Sequence, residues 1–395
     1  MLSYQTPGVY IEEIPSGPRP VEAVGTSIVG FIGVAPDPKR RVQEAVPINN
    51  WSQFCEEFVG EKTVSTALSN AVFGFFQNSG TLCYIVNIGT DKSILGSGDG
   101  RKGIALFEEI DEIAIVAAPG YTDASSYDAI LSHCEKLQDR VAIIDAPQKI
   151  TNLQSLLNVA TPAAAADDPT TKGGAKPRQS DRGFGSFYFP WIVITDPLNP
   201  ASTIEAPPSG HLAGIYARTD TLRGVHKAPA NEIINGALDL VYNVTKGEQG
   251  ELNVNGINCI RAFPGEGIRV WGCRTLAPKG SQWKYINVRR LMNMIEESIE
   301  ESTRWVVFEP NTEILWKSIK RNIESFLYRL WIQGALKGVT PEQAYFVKCD
   351  EETNRPETID AGMVVTVIGV SPAKPAEFVV FRIGQSAEGA EVSSQ

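Results

Sequence analysis

Residues able to carry out acid–base or metal chemistry are sparse in this chain. The three histidines are His133, His211 and His226, and none lies four residues from another, the spacing that puts two imidazoles on one helix face to bind zinc. Ser209, His211 and Asp220 could be drawn as a nucleophilic triad, but no strand-to-helix elbow motif surrounds the serine. We therefore expect the histidines to be surface or hydrogen-bonded core residues, and we predict no metal site and no catalytic residue.

A glycine-rich segment at 96–103 follows a predicted strand, which is the position of a phosphate-binding loop. It lacks the Gly-Lys-Ser/Thr ending of such a loop, and no strong helix begins directly after it. The turn at 119–121 contains one glycine, where a dinucleotide-binding fingerprint has several. A surface loop is the better interpretation. We predict no bound cofactor and keep a nucleotide-binding α/β enzyme only as an alternative.

A cluster of carboxylates on a predicted helix, residues 283–305, could also supply metal ligands or acid–base groups. On a helix these side chains spread over a broad arc and do not converge on one point, which favours a solvated or interface face. They lie towards the helix C-terminus, where negative charge opposes the helix dipole, so local helix stability does not explain them. Arg304 is placed to pair with Glu300. The clustered carboxylates are Glu296, Glu297, Glu300 and Glu301.

Composition and charge exclude several other classes of protein. The chain has 395 residues, of which 43% are hydrophobic and 21% charged, as in ordinary globular proteins of two or three domains. The formal net charge of −10, with no basic cluster to offset it, argues against general nucleic-acid binding. The start of the chain lacks the pattern of a signal peptide, and no run of about eighteen apolar residues indicates membrane insertion. Six scattered cysteines favour free thiols in a reducing cytoplasm.

The elements that would position these residues follow a mixed α/β pattern. Between residues 113 and 145 a strand, a helix and a second strand follow one another, and this βαβ order predicts two parallel strands in one sheet. We assign residues 26–260 to one α/β domain with a mobile surface loop at about 163–183. The predicted strands of this domain are 27–35, 83–88, 113–117, 141–145 and 191–195, and its predicted helices are 51–58, 64–77, 125–137 and 152–160.

From Trp271 the pattern changes to long helices. One is predicted at 283–305, and a second begins after Pro310 and ends near residue 336, each with one apolar stripe. A short helix that begins at Thr340 has a Thr-to-Gln capping box, and a strand is predicted at 363–368. We assign residues 261–371 to a second domain.

Both ends of the chain carry a predicted strand with no evident partner, at 8–14 and 376–383. Because an isolated strand is not stable in water, each must add to a sheet, either its own or a neighbour's. Prolines flank the strands and keep the linkers extended, which makes them the predicted hinges. The predicted hinges are Pro7, Pro15, Pro372 and Pro375, and the strand residues are Val9, Tyr10, Ile11, Glu12, Ile14, Phe378, Val379, Val380, Phe381 and Ile383.

An ordered set of short phrases resembles the contractile tail sheath proteins of phages, R-type pyocins and extracellular contractile injection systems. The phrases are TPGVYIEE at 6–13, PPSGHLAGIYARTD at 207–220, GVHKAPAN at 224–231, LN at 252–253, GIN at 256–258, VWGCRTL at 270–276, WKYINVRRL at 283–291, WVVFEPN at 305–311, GALKG at 334–338 and KPAEFV at 374–379. Departures from the family pattern are small. Cys273 stands where alanine is expected, His226 stands where tryptophan is expected, and the loop at 163–183 has no pattern to match.

The resemblance implies a structural subunit and no enzyme. Such subunits stack as hexameric rings around an inner tube protein and contract to drive the tube through a target envelope. The implied partners are other copies of the chain, the tube, baseplate and terminal cap proteins, and sheath paralogues. We expect assembly in the cytoplasm, as part of a virion tail or of a phage tail-like particle that is released or anchored to a membrane. A non-contractile paralogue, such as a cap, is the alternative within the same class.

The implied fold class is α/β (α+β overall). An outer α/β domain is inserted between the N-terminal arm, residues 1–25, and an inner C-terminal domain of long helices and a small sheet. The N-terminal arm and the C-terminal arm, residues 372–395, are implied to cross to neighbouring subunits and complete that sheet. On this interpretation, charged helix faces contact the tube or the next ring. The residues of these faces are Lys317, Lys320, Arg321, Glu296, Glu297 and Glu300.

Overall fold

The structure, a computed structural model, describes residues 20–91, 93–96, 100–161 and 173–380. The strands in these ranges are β1 (Val29–Gly33), β2 (Ala45–Ile48), β3 (Cys83–Asn87), β4 (Ile115–Ala117), β5 (Val141–Asp145), β6 (Gly185–Phe189), β7 (Ile192–Thr195), β8 (Thr203–Ala206), β9 (Glu232–Ile233), β10 (Ala237–Leu240), β11 (Ile257–Phe263), β12 (Gly267–Trp271), β13 (Tyr345–Lys348) and β14 (Val367–Val370). The helices are α1 (Trp51–Phe54), α2 (Ala67–Gln77), α3 (Ala124–Leu137), α4 (Ser209–Arg223), α5 (Lys246–Val254), α6 (Ile286–Thr303), α7 (Glu313–Ile332), α8 (Pro341–Ala344) and α9 (Pro356–Asp360). Shorter turns are a π-helical turn at Cys55–Val59 and 3-10 turns at Gly103–Glu109, Leu153–Leu157 and Arg304–Val306.

A mixed sheet, in the order β2-β3-β1-β4-β5-β6-β11-β12-β9, forms the centre of the described chain. β1, β4 and β5 are buried along their whole length, as expected for parallel strands that are covered on both faces. β4 pairs in parallel with β5, and α3 connects them. This arrangement confirms the βαβ unit that the sequence predicts between residues 113 and 145, and the mixed α/β class.

Helices cover both faces of this sheet. Side chains of α2 and α4 belong to the hydrophobic cluster on one face, and side chains of α3 belong to the cluster on the other. α2 and α4 approach closely because glycines line the contact. A Cβ atom added to Gly210 would lie 2.2 Å from the backbone of Ala71, and one added to Gly214 would lie 2.5 Å from the carbonyl oxygen of Phe75.

The long helices α6 and α7 share a hydrophobic cluster of their own. Their predicted apolar stripes are confirmed, since Leu291, Ile295, Ile323 and Phe326 are all buried in it. Val21, from the segment that precedes β1, is buried in the same cluster. Both halves of the chain therefore contribute to the core around the long helices.

Several element boundaries differ from the sequence prediction. The helix predicted at 152–160 is reduced to the 3-10 turn Leu153–Leu157, because Val159 leaves it to form a bridge with Lys176. α7 ends at Ile332 and not near 336, because Gly334 adopts a positive φ of 78° and terminates the helix. The strand predicted at 363–368 begins only at Val367, as β14, and its partner β13 is not predicted by the sequence pattern.

The central sheet continues past the predicted domain boundary near residue 260, because β12 ends at Trp271. The division into an outer domain at 26–260 and an inner domain at 261–371 stays a prediction. None of the described helices is both long enough and apolar enough to cross a membrane.

Candidate assembly interface

The structure does not bring Ser209, His211 and Asp220 together as a triad. The Ser209 hydroxyl donates to the Asp145 carboxylate at 2.7 Å, and Asp220 forms an ion pair with Arg290. His211 is fully buried against α2, and neither ring nitrogen has a hydrogen-bond partner among the described residues. Burial lowers the pKa of His211 to about 4, so its ring is neutral near pH 7.

The other two histidines give no sign of metal chemistry. His133 is buried, and its pKa falls to about 4 because of burial and the neighbouring Arg140 cation. Burial, followed by the Arg223 cation, also lowers the pKa of His226. Within the described ranges, no three His, Cys, Asp or Glu residues form a group that could hold a metal ion. The glycine-rich segment at 96–103 lies partly outside the described residues.

A two-stranded sheet near the end of the chain has unpaired edges. β13 and β14 are antiparallel, with Tyr345 opposite Val370 and Lys348 opposite Val367, and no third described strand joins them. Apolar side chains on this sheet are exposed, and Phe346 retains 56% of its accessible surface. Two strands alone are marginally stable in water, so further strands at the edges would stabilise this sheet.

The C-terminal segment carries apolar residues that the described chain leaves uncovered. Residues 374–380 form no strand with any described residue, although Phe378 is 71% exposed and Val380 is 78% exposed. Val379 is exposed as well. The remaining predicted arm residues and hinges lie outside the described residues, and they are Val9, Tyr10, Ile11, Glu12, Ile14, Phe381, Ile383, Pro7 and Pro15.

The start of this segment is held by backbone hydrogen bonds to the turn that follows α7. The Ala373 amide donates to the Ala335 carbonyl at 2.9 Å, and the Lys337 amide donates to the Ser371 carbonyl at 2.7 Å. Pro372 lies between them, in a bridge with Leu336. The predicted hinge proline at position 372 is therefore fixed to its own subunit.

Five residues after Pro372, the Glu377 carboxylate is surrounded by donors. Arg274 binds it with two hydrogen bonds, from Nε at 2.7 Å and from Nη2 at 2.9 Å. Lys284 Nζ at 3.0 Å, the Tyr285 hydroxyl at 2.9 Å and Asn253 Nδ2 at 2.8 Å complete the set. Burial alone would raise the pKa of Glu377, but these hydrogen bonds outweigh it and lower the pKa to about 2. We call these five residues the Glu377 clamp.

The sequence pattern predicts no role for Glu377, although it contains a signal. A single acidic residue within an apolar predicted strand needs either solvent or a partner. The residues of the clamp come from separate parts of the chain, and each of them lies in one of the phrases that resemble the sheath family. Their spatial convergence is visible only in the fold.

The predicted basic face of α7 is exposed. Lys317 pairs with Glu313 at 3.0 Å, and Lys320 lies 3.8 Å from Glu324. Both pairs are surface pairs one helical turn apart, which contribute little to stability. Arg321 is exposed on the same helix and forms no ion pair with a described residue.

The predicted acidic face of α6 partly lines a cleft of about 370 Å³ that also contains Asp111 and Asp139. Burial raises the pKa of Glu297 to about 7, and the negative charges of Asp139 and Glu301 add to the effect. Glu296 pairs with the buried Arg289 at 3.2 Å. The predicted pair between Arg304 and Glu300 is not formed, because α6 ends at Thr303 and a 3-10 turn brings Arg304 to within 4.0 Å of Glu301.

Comparisons with known proteins agree on one family. Residues 99–276 match the family model of the phage tail sheath protein central domain, and residues 278–386 match that of the phage tail sheath C-terminal domain. The tail sheath protein of Vibrio phage KVP40 is 30% identical over 176 residues, which are 44% of this chain and 25% of that protein. A putative prophage major tail sheath protein of Pseudomonas aeruginosa strain UCBPP-PA14 is 26% identical over 276 residues, which are 68% of this chain and 64% of that protein. The chain thus spans less than two thirds of the length of these curated relatives.

Solved structures extend the similarity to nearly the whole chain. The sheath of the extracellular contractile injection system PVC, in its contracted state, is 30% identical with a TM-score of 0.76, and the match covers 98% of this chain and 99% of that one. The helical sheath of the anti-feeding prophage, also contracted, is 30% identical with a TM-score of 0.72, covering 97% of this chain and all of that one. From these matches and the fold, the chain belongs to the tail sheath protein family of phages and contractile injection systems.

Proposed function

We propose that this protein is the structural subunit of a contractile sheath. It polymerises as stacked hexameric rings around an inner tube, and the rings contract to drive the tube through a target envelope. The observation that supports this proposal best is that a sheet edge and an apolar segment near the end of the chain have no described strand partner. The sheet β13–β14 has unpaired edges, and the same chain carries an exposed apolar segment, 378–380, that pairs with nothing described.

Strand exchange between subunits would give a partner both to the edges of β13–β14 and to segment 378–380. When an extended segment adds to a sheet edge, backbone hydrogen bonds supply affinity and alternate side chains supply specificity. Burial of Phe378, Val379 and Val380 adds about 25 cal/mol for each Å² of apolar surface removed from water. We propose that the arms, residues 1–25 and 372–395, extend the sheets of neighbouring subunits and keep the rings linked while the subunit bodies move.

Contraction of such an assembly requires no catalytic residue in this chain. The energy is stored in the extended polymer, and a trigger at the baseplate releases it, as in other kinetically trapped states. The protein therefore acts as a mechanical component and not as an enzyme.

The proposed arrangement in the particle places the domain with both chain ends inward and the α/β domain outward. The charged faces of α6 and α7 then contact the tube or the adjacent ring, and polar contacts suit an interface that must break during contraction. The further partners are baseplate and terminal cap proteins and sheath paralogues. Assembly takes place in the cytoplasm, and the product is a virion tail or a phage tail-like particle.

The proposal is tested by electron microscopy of the purified protein and of a variant that lacks residues 1–14. The full-length protein should form long striated tubes, whereas the truncated protein should remain a folded monomer. Deletion of the polar residues 386–395 is the matched control and should leave tube formation intact. Full-length protein that stays monomeric at every concentration would contradict the proposal, and a truncated protein that unfolds would show that the first strand serves its own core.

A further inference from the structure

We infer that Glu377 anchors the C-terminal arm to the body of its own subunit, so that the arm pivots at Phe378 and not at Pro372 or Pro375. This inference rests on the proposed function, because an arm that joins subunits needs a fixed point of departure. The role assigned to Glu377 is that of a positioning residue.

The geometry shows why the pivot lies beyond the prolines. Before Pro372, the Ser371 carbonyl accepts a hydrogen bond from Lys337, and after it the Ala373 amide donates to Ala335. Asn287 Nδ2 also donates to the Ala373 carbonyl at 3.3 Å. Four residues later, the clamp holds the Glu377 side chain at 13% exposure. The prolines therefore lie in a stretch that is fixed on both sides.

The change at Phe378 is abrupt. The side chains from Phe378 to Val380 are exposed, and none of them has a described hydrogen-bond or strand partner. The boundary between the part of the arm that contacts its own subunit and the part without described partners thus falls directly after Glu377. An arm that pivots here can reorient without disturbing the contacts that hold its root.

The charges make the clamp strong. One carboxylate faces the Arg274 guanidinium, which is 11% exposed, and the Lys284 ammonium, and both contacts are also hydrogen bonds. Hydrogen bonds between ionised groups that are shielded from solvent are the strongest type in proteins. Removal of the carboxylate would leave the Arg274 charge buried without its main partner, which is unfavourable.

The clamp also connects the arm to the region where the central sheet meets the long helices. Asn253 lies in α5, Arg274 follows the last long strand of the central sheet, and Lys284 and Tyr285 lie directly before α6. Tension on the arm would therefore reach the sheet and the long helices together. This position suits a root that carries load between subunits.

The test uses the full-length protein below its assembly concentration and measures chymotrypsin cleavage after Phe378, with the site identified by mass spectrometry. Cleavage there requires the Glu377 side chain to separate from its four partners. The cleavage rate therefore reports the fraction of molecules in which the segment around Glu377 is released from the subunit body. In Glu377→Gln, cleavage should be about tenfold faster or more, because the charged hydrogen bonds are lost. Lys284→Gln is a milder second variant and should be faster than the native protein but slower than Glu377→Gln.

Glu351→Gln is the matched control, because Glu351 is exposed and forms no ion pair or hydrogen bond of its side chain with a described residue. It should cleave at the native rate. Assembly is then followed by sedimentation, and Glu377→Gln should require a protein concentration about tenfold higher to form tubes.

Unchanged cleavage in both clamp variants would overturn the anchor, and faster cleavage with native assembly would overturn its role in joining subunits. If the native protein forms no tubes at any concentration, the proposed function fails, and the cleavage rates still decide whether Glu377 fixes the root.

Discussion

At the scale of single residues, a buried ion pair joins helix α6 to helix α4. Arg290 of α6 binds Asp220 of α4 through two hydrogen bonds of 2.9 and 2.5 Å, and it also donates to the Thr26 carbonyl. Both charged side chains are less than 10% exposed, at 3% and 7%. The aspartate that the sequence offered as a triad member is thus a structural residue.

Arg290→Met should reduce the free energy of unfolding by about 3–5 kcal/mol, because it leaves the Asp220 carboxylate buried without its cation. Urea unfolding of the unassembled protein measures this. Arg223→Met, at the exposed end of α4, is the control and should change stability by less than about 0.5 kcal/mol. Equal effects of the two substitutions would contradict a structural role for the pair.

The raised pKa of Glu297, about 7, predicts how stability depends on pH. The folded protein keeps a proton on Glu297 that the unfolded chain releases at its ordinary pKa of 4.5, so this residue lowers stability as pH rises from 4.5 to 7. Glu297→Gln should therefore raise the free energy of unfolding by roughly 1–2 kcal/mol at pH 8 and leave it nearly unchanged at pH 4.

Thermal unfolding of Glu297→Gln at the two pH values checks this expectation. Glu309→Gln is the control, since Glu309 is exposed and has no described side-chain partner. A similar effect of Glu297→Gln at pH 4 and pH 8 would show that the carboxylate is not destabilised by burial.

Individual side-chain contacts were the features least predictable from the sequence. The capping box predicted at Thr340 is not formed, because the Gln343 side chain accepts from the Val339 amide instead, at 3.0 Å. The partners of Glu377 lie between 92 and 124 residues away along the chain, and no local pattern encodes such distances. The sequence alone therefore could not predict the clamp.

At the scale of elements, we propose that residues 378–380 pair as a strand with the sheet of a neighbouring subunit. Val379→Pro removes a backbone donor at an exposed position, so it should prevent strand addition without affecting the folded monomer. We expect loss of tube formation in sedimentation and electron microscopy, with a melting temperature equal to that of the native protein.

Val379→Thr is the matched control, because threonine keeps the β-branched shape and the backbone donor. It should still assemble. Assembly of the proline variant at native concentration would show that this segment does not pair through its backbone at residue 379.

Element prediction succeeded where the pattern was long or repeated. The buried apolar runs of β4 and β5, with α3 between them, and the stripes of α6 and α7 were all readable from periodicity. β13 was not, because it has four residues of which only Val347 is buried, and its pairing with β14 is decided by tertiary contacts. The ends of α6 and α7 depend on local turns, which periodicity does not resolve.

At the scale of the whole molecule, charge is expected to govern contacts within the particle. Reversal of charge with Lys320→Glu and Arg321→Glu should impair assembly around the tube, since both residues lie on the exposed face of α7. The native assembly should also weaken as salt is raised, because exposed charge pairs are screened. Normal extended particles formed by the double variant would contradict this assignment.

We propose that neighbouring subunits complete one another's sheets. A cryo-EM map of the assembled tubes tests it most directly, through the path of residues 376–383 and the edges of β13–β14. We expect added strands from other subunits to flank β13–β14 and residues 378–383 of each chain to leave its own body after Glu377. A map in which residues 376–383 turn back and pair with the sheet of their own subunit would contradict it.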